Sequence, residues 1–163
     1  MTGTKETLEI APITKPDFDQ ILIKLDQFWG DRASETRPHH HPLYVYEFAD
    51  TGLVMKEGSD VVAYLLGFAL PEKAVSYIHL VGVRQEYRSR GLARQLYQTF
   101  FELVKLMGCA QVKAITSIAN QGSIKFHKAM GFTLQGDHQI GDVTVVRNYS
   151  GPGQDRVVFV KKF

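Results

Sequence analysis

Val81-Gly-Val-Arg-Gln-Glu-Tyr-Arg-Ser-Arg-Gly-Leu-Ala93 reads as the end of a strand, a short charged turn and the opening of a long helix. Upstream, Ala74 to Val83 is apolar on both alternating faces, as in an interior strand covered on each side. That alternation sets Tyr77, His79, Val81 and Val83 on one face and Ile78, Leu80 and Gly82 on the other. Downstream, Leu92, Leu96, Phe100, Leu103 and Met107 recur at helical spacing until Gly108 stops the helix. The first turn of a helix leaves N–H groups without intrahelical partners and carries roughly half a positive charge. Gly91 and Ala93 keep side chains away from those N–H groups, and Arg88, Arg90 and Arg94 add cations at the same end. In physical terms this is a pyrophosphate site. Neither the G-x-x-x-x-G-K-[ST] nor the G-x-G-x-x-G spacing is present.

Working outward, Leu8 to Ile13 reads as a first strand. Thr14-Lys-Pro-Asp17 then opens a helix whose apolar face (Phe18, Ile21, Leu22, Leu25, Phe28, Trp29) runs unbroken to Gly30. Asp31 to Pro42 is irregular and carries His39, His40 and His41. Adjacent histidines point in different directions on any regular backbone, so a polar loop is expected there and no metal. Leu43 to Ala49 predicts a second helix or turn with Tyr44, Tyr46 and Phe48 on a substrate-side wall. Gly52 to Glu57 and Val61 to Leu70 form a hairpin across Glu57-Gly-Ser-Asp60. Gln111 to Ser117 is a further strand and Asn120 to Met130 a helix ended by Gly131. Strands are expected near Phe132 to Gln135, Val143 to Asn148 and Arg156 to Lys161. The class is α/β (α+β) with a mixed, mostly antiparallel central sheet flanked by helices, in one domain over residues 1–163.

A hydrophobic fraction of 44% and a charged fraction of 22% are those of an ordinary soluble globule. A net charge of +2 gives nucleic acid no electrostatic footing as a partner. No membrane-length apolar run occurs, so no membrane partner is expected. The single cysteine, Cys109, has no internal disulfide partner, which fits a reducing, cytoplasmic setting, and it reads as a packed small residue.

Two motifs carry a family resemblance. Arg88-x-x-Gly91-x-Ala93, placed between an apolar strand and an amphipathic helix, resembles the acetyl-CoA-binding motif of the GCN5-related N-acetyltransferase (GNAT) superfamily. About thirty residues on, Asn120-Gln-Gly-Ser123-Ile-Lys-Phe126-His127-Lys-Ala-Met-Gly131-Phe132 is similar to that family's N-x-x-A-x-x-[FL]-Y-x-x-x-G-F segment. Ser123 replaces the small residue and His127 the tyrosine. The tail Tyr149 to Arg156 is similar to a segment of a bacterial subgroup of unassigned substrate, although a glycine-rich hairpin turn accounts for it equally well.

The resemblance implies the GNAT fold and an acyl-CoA-dependent N-acetyltransferase that moves an acetyl group from acetyl-CoA to a primary amine by direct attack, through a tetrahedral intermediate. Val81 and Val83 would offer backbone groups to the pantetheine arm. Arg88, Ser89, Arg90, Gly91, Leu92, Ala93 and Arg94 would hold the pyrophosphate, and Asn120, Ser123 and Phe126 would line the channel. The Val81 N–H is a candidate for polarising the oxyanion. His127 stands where the family tyrosine serves as acid to the leaving thiolate, or it is a packing histidine. His79 stands where some members carry a base, or it is a satisfied core histidine. Asn120 can cap its helix and touch pantetheine at once. Tyr77, Lys128, Glu47 and Asp155 are weaker candidates. The acceptor is a small-molecule or peptide amine, and a homodimer is a common assembly in the family. The rival is a non-catalytic acyl-CoA sensor or scaffold, which the histidine at the tyrosine position favours.

Overall fold

The computed structural model describes residues 8–163; the first seven residues of the expected domain lie outside that range. Thr14 caps the first helix, α1 (Lys15–Ile23), in the reciprocal capping box that the sequence predicts: its side chain accepts the Asp17 N–H while the Asp17 carboxylate accepts the Thr14 N–H. Asp17, though buried, is compensated by Lys56 Nζ at 2.7 Å. The expected single helix is broken. Lys24 leaves helical geometry (φ −105, ψ 25) and α2 (Leu25–Trp29) starts again beyond it. The break lets Phe18, Ile21, Leu25 and Phe28 all enter the core while Ile23 stays 80% exposed.

A short helix, α3 (Ala33–Thr36), lies in the irregular region, and α4 (Leu43–Tyr46) follows it where a second helix or turn is expected. The three histidines there diverge as expected: His40 is buried, while His39 and His41 are exposed. Among the described residues no group of histidines, cysteines and carboxylates could hold a metal ion. Nor is any described helix long and apolar enough to cross a membrane.

β1 (Glu9–Pro12), β2 (Leu53–Glu57), β3 (Asp60–Leu70) and β4 (Val75–Val83) form an antiparallel meander. α5 (Leu92–Leu106) then crosses the sheet, and β5 (Gln111–Thr116) lies parallel to β4. After α6 (Gln121–Ala129), β6 (Thr133–Gln135) forms the far edge of the sheet. β9 (Val157–Lys162) lies between β5 and β6, giving the order β1-β2-β3-β4-β5-β9-β6. A separate hairpin of β7 (His138–Ile140) and β8 (Val143–Val145) turns at Gly141. β7 has no counterpart among the expected strands, and the strand expected from Val143 to Asn148 ends at Val145. Arg156 makes only an isolated bridge to Val146 before β9 begins.

One core packs α5 and α6 against the sheet, and a second packs α1, α2 and α4 against its other face. The buried stripe of α5 is Leu92, Leu96, Tyr97, Phe100, Phe101 and Val104. Leu103 and Met107 are only partly covered, so the packed face is rotated from the expected one toward Tyr97 and Phe101. Gly82 marks a close approach on the opposite face, where a Cβ would lie 2.5 Å from the ring of Tyr64. Gly82→Ala should therefore destabilise the protein by about 1–3 kcal/mol in denaturant unfolding, because that ring, itself fully buried, has nowhere to move.

Candidate active site

β4 and β5 pair only through Val75–Tyr77 and Gln111–Lys113, then part. Just beyond the last pair, Leu66 opposes Leu80 but Gly67 opposes Ile78, so His79 is an extra residue on β4. This β-bulge corrects the strand phase read from the sequence. Val81 and Val83 pack toward the α5 core, whereas His79 stacks on Tyr44, which belongs to the core on the α1 side. One inserted residue switches the faces of everything after it. The parted strands enclose a cleft of about 780 Å³, lined by Ile78–Val83 on one side and Ala114–Thr116 on the other.

Arg84 donates its N–H to Val62 on the β3 side. The alternation of an antiparallel strand therefore turns the peptide groups of Val83 and Val81 toward the cleft. At the open end, Ser89 (φ 63) and Gly91 (φ 76) take left-handed conformations that bend the chain into α5. A Cβ on Gly91 would meet nothing within 4 Å, so the space beside this turn is free. No side chain caps α5, in contrast to α1, capped by Thr14, and α6, capped by Asn120. Its first-turn N–H groups are open to an anion.

Of the expected cradle, Arg88, Ser89, Gly91, Leu92, Ala93 and Arg94 line the cleft, and Arg90 does not. The arginine side chains are less free than the sequence suggests. Arg88 clips α2 to β4, its Nη2 donating to the Phe28 carbonyl at 2.6 Å and its Nε to the Val83 carbonyl at 3.4 Å. Arg90 donates to the Glu86 carbonyl and lies 4.9 Å over the Tyr87 ring. Arg94 is exposed and makes no hydrogen bond or ion pair among the described residues.

Asn120, Ser123, Phe126 and His127 form the opposite wall with Tyr97, a residue outside the expected site. Asn120 Oδ1 accepts the Ser123 N–H at 3.1 Å. His127 is 6% exposed and stacks on Phe159, with centroids 4.1 Å apart. Its Nδ1 lies 2.8 Å from the Ser123 carbonyl and its Nε2 2.9 Å from Tyr97 Oη. A carbonyl only accepts, so Nδ1 carries the hydrogen and Nε2 receives the phenol O–H. Burial lowers the His127 pKa, opposed by the Ser123 carbonyl, and burial raises that of Tyr97. The pair rests as neutral imidazole and phenol.

His79 is half-buried at the bulge. Its Nε2 donates to the His39 carbonyl at 2.7 Å, and its ring stacks on Tyr44 at 4.8 Å. Nδ1 therefore holds a lone pair, and it makes no hydrogen bond among the described residues. Burial lowers the pKa of His79, opposed by the hydrogen bond to the His39 carbonyl, so this lone pair is available near neutral pH. A third histidine, His40, closes a network that is saturated. Its Nδ1 donates to Thr36, and its Nε2 accepts from Tyr64, whose oxygen accepts from Trp29. Tyr77 stacks on Phe68 outside the cleft, Asp155 caps the turn at Asn148, and Glu47 and Lys128 are exposed.

His40 and His127 are both held neutral by burial, with pKa values below 6.5. Below that value the unfolded chain takes up protons that the native state does not. Their contribution to stability is thus complete above about pH 6.5 and is lost as pH falls toward the folded pKa values. Denaturant midpoints should fall between pH 7.5 and 5, and a flat profile over that interval would contradict the assignment.

A sheet split down its parallel seam, with an uncapped helix start at the mouth, gives a long cleft with an anion-attracting end. The chain belongs to the acetyltransferase (GNAT) family, whose sequence model matches residues 18–132. It is 25% identical over 134 residues to the aminoglycoside N(6')-acetyltransferase type 1 of Acinetobacter baumannii, covering 77% of this chain and 90% of that enzyme. It is 23% identical over 131 residues to the L-2,4-diaminobutyric acid acetyltransferase of Marinococcus halophilus, covering 80% of this chain and 76% of that enzyme. The fold matches the Thermoplasma acidophilum paia N-acetyltransferase, solved in complex with coenzyme A, with a TM-score of 0.70 at 11% identity, over 96% of this chain and 99% of that one.

Proposed function

We propose that residues 1–163 act as one cytoplasmic domain that transfers the acetyl group of acetyl-CoA directly to a primary amine. The observation that carries this reading is the parting of β4 from β5 beyond Tyr77, with the uncapped start of α5 at the open end. The diphosphate lies on the N–H groups of Leu92, Ala93 and Arg94, with Arg94 adding charge. The pantetheine arm lies along the Val83 N–H and the Val81 peptide group as an added strand, bringing the thioester to the bulge. Asn120, Ser123 and Phe126 close the other side. The residues fit the co-substrate: the turn at Gly91 leaves space where a side chain would intrude, and the strand edge is unpaired.

The acceptor reaches the cleft mostly as an ammonium and must lose a proton before attack. His79 Nδ1 takes that proton, directly or through water, and passes it to solvent. The neutral amine adds to the thioester carbonyl, and the Val81 N–H stabilises the oxyanion that forms. Because His79 works only as neutral imidazole, transfer should fall as pH falls through its lowered pKa. The acceptor kinds named for these relatives, an aminoglycoside and a diamino acid, are the first to try, and a peptide N-terminus follows.

The test is thiol release from acetyl-CoA with kanamycin, 2,4-diaminobutyrate, spermidine, lysine and an alanyl peptide as acceptors. Transfer to at least one of them is expected. Saturable CoA binding with no transfer to any would favour the non-catalytic sensor instead. The reducing setting rests on the single buried thiol of Cys109.

A further inference from the structure

The His127–Tyr97 pair leaves a question that the choice of base does not answer. An ammonium, once converted to amide, gives up two protons: one must be removed before attack, and the nitrogen of the tetrahedral intermediate still carries the second. The departing sulfur needs one. Tyr97 Oη and His127 Nε2 stand 2.9 Å apart in the wall of the cleft, and the Ser123 carbonyl fixes the direction of the hydrogen bond between them. Since Nδ1 already holds its hydrogen, the phenol hydrogen points at Nε2 and the phenol oxygen keeps its lone pairs for whatever lies in the cleft. As built, the pair can move a proton only toward His127. An imidazole poised in this way is not a resting acid, as a simple exchange of histidine for the family tyrosine would require.

Building on the acetyl-transfer reading, we propose that Tyr97 and His127 form a two-way proton relay that carries the second proton from the attacking nitrogen to the leaving sulfur. In the first half the C–N bond forms, the nitrogen's proton moves to Tyr97 Oη, and the phenol hydrogen moves to His127 Nε2. The imidazolium keeps its Nδ1–H on the Ser123 carbonyl. In the second half the C–S bond breaks and its electron pair goes to sulfur. Tyr97 gives its hydrogen to that sulfur and takes one back from His127. Nitrogen and sulfur sit on the same tetrahedral carbon, so one hydroxyl can serve both. The balance closes: an ammonium and a thioester give an amide, a thiol and the single proton released through His79.

Tyr97 is the catalytic residue here. His127 acts through it as a positioning residue that also stores the proton. The environment suits a transient charge. His127 faces Tyr97 from α5, Phe132 from the turn after α6 and Phe159 from β9; Tyr97 is the one titratable group among them. Burial and the Ser123 carbonyl set its proton affinity, with no charged side chain acting on it. Phe126 meets the Tyr97 ring edge-on at 5.0 Å and holds it in place.

The test compares Tyr97→Phe, His127→Gln and the double variant with the unaltered protein, using the fastest acceptor found above. Glutamine still accepts the phenol hydrogen bond and fills most of the ring's space, but it cannot take the proton. Each single variant should lower kcat about 100-fold or more. The double variant should be no slower than either, because the two residues work as one unit. The dissociation constant for CoA should stay within about threefold of the unaltered value throughout. A near-normal kcat for His127→Gln, or losses that multiply in the double variant, would overturn the relay alone. CoA binding without transfer by the unaltered protein would overturn the relay and the transferase reading together.

Discussion

Replacing His79 with alanine should slow acetyl transfer by roughly 100- to 10,000-fold near pH 7, the range that a positioned base supplies. The affinity for CoA should be unchanged, because His79 sits at the bulge and the grip on the nucleotide lies at the other end of the strand. The structure gives the ring one defined tautomer. Nε2 is committed to the His39 carbonyl, so Nδ1 is the basic atom. Burial keeps it from being protonated in advance. The loss should also depend on pH in a way that a packing role would not produce. Without the base, only acceptor that is already neutral can attack. The variant's rate should then climb about tenfold per pH unit toward the pKa of the acceptor amine, while the unaltered protein levels off above the pKa of His79. A His79→Ala protein with near-normal turnover from pH 6 to 9 would remove His79 from the chemistry and leave the CoA cleft as described.

The second large effect is on binding. Ala93→Glu should raise the dissociation constant for acetyl-CoA by about 100-fold, equivalent to about 2.7 kcal/mol. Ala93 lies in the first turn of α5 and lines the cleft. A carboxylate there occupies the place of the diphosphate and repels what remains of it. The same substitution favours the helix, since a negative charge in the first turn of an uncapped helix is worth about 0.3–1 kcal/mol. Stability should hold or rise while binding collapses. If Ala93→Glu bound acetyl-CoA normally, the diphosphate would have to lie somewhere other than the start of α5.

The sequence was informative where chemistry is local. Arg88-x-x-Gly91-x-Ala93 announces an open helix start because backbone conformation and side-chain size there are set by neighbours in the chain. The same holds for Thr14 and Asp17, whose reciprocal cap was legible residue by residue. What escaped depended on a single extra residue or on distant partners. The bulge at His79 leaves no mark in an apolar run, yet it moves His79 to the opposite face from Val81 and Val83. The break at Lys24 was invisible because the apolar spacing continues through it. His127 was conspicuous as a departure from the family pattern, but its partner lies thirty residues earlier on another helix. Tyr97 carried one weak signal, a polar tip on the apolar stripe beside Leu96. The arginines contribute less than their number suggests: two of the three spend their guanidinium groups on backbone carbonyls, and the proposed cradle is mostly backbone N–H.

Calorimetric titration with CoA, and in parallel with pantetheine, which has the same arm and thiol but no diphosphate, tests most directly how this cleft is used. A saturable heat with CoA is predicted, with pantetheine weaker by about 100-fold or more because the N–H groups at the start of α5 have nothing to hold. No heat from CoA at millimolar concentration, or equal affinity for the two ligands, would contradict it.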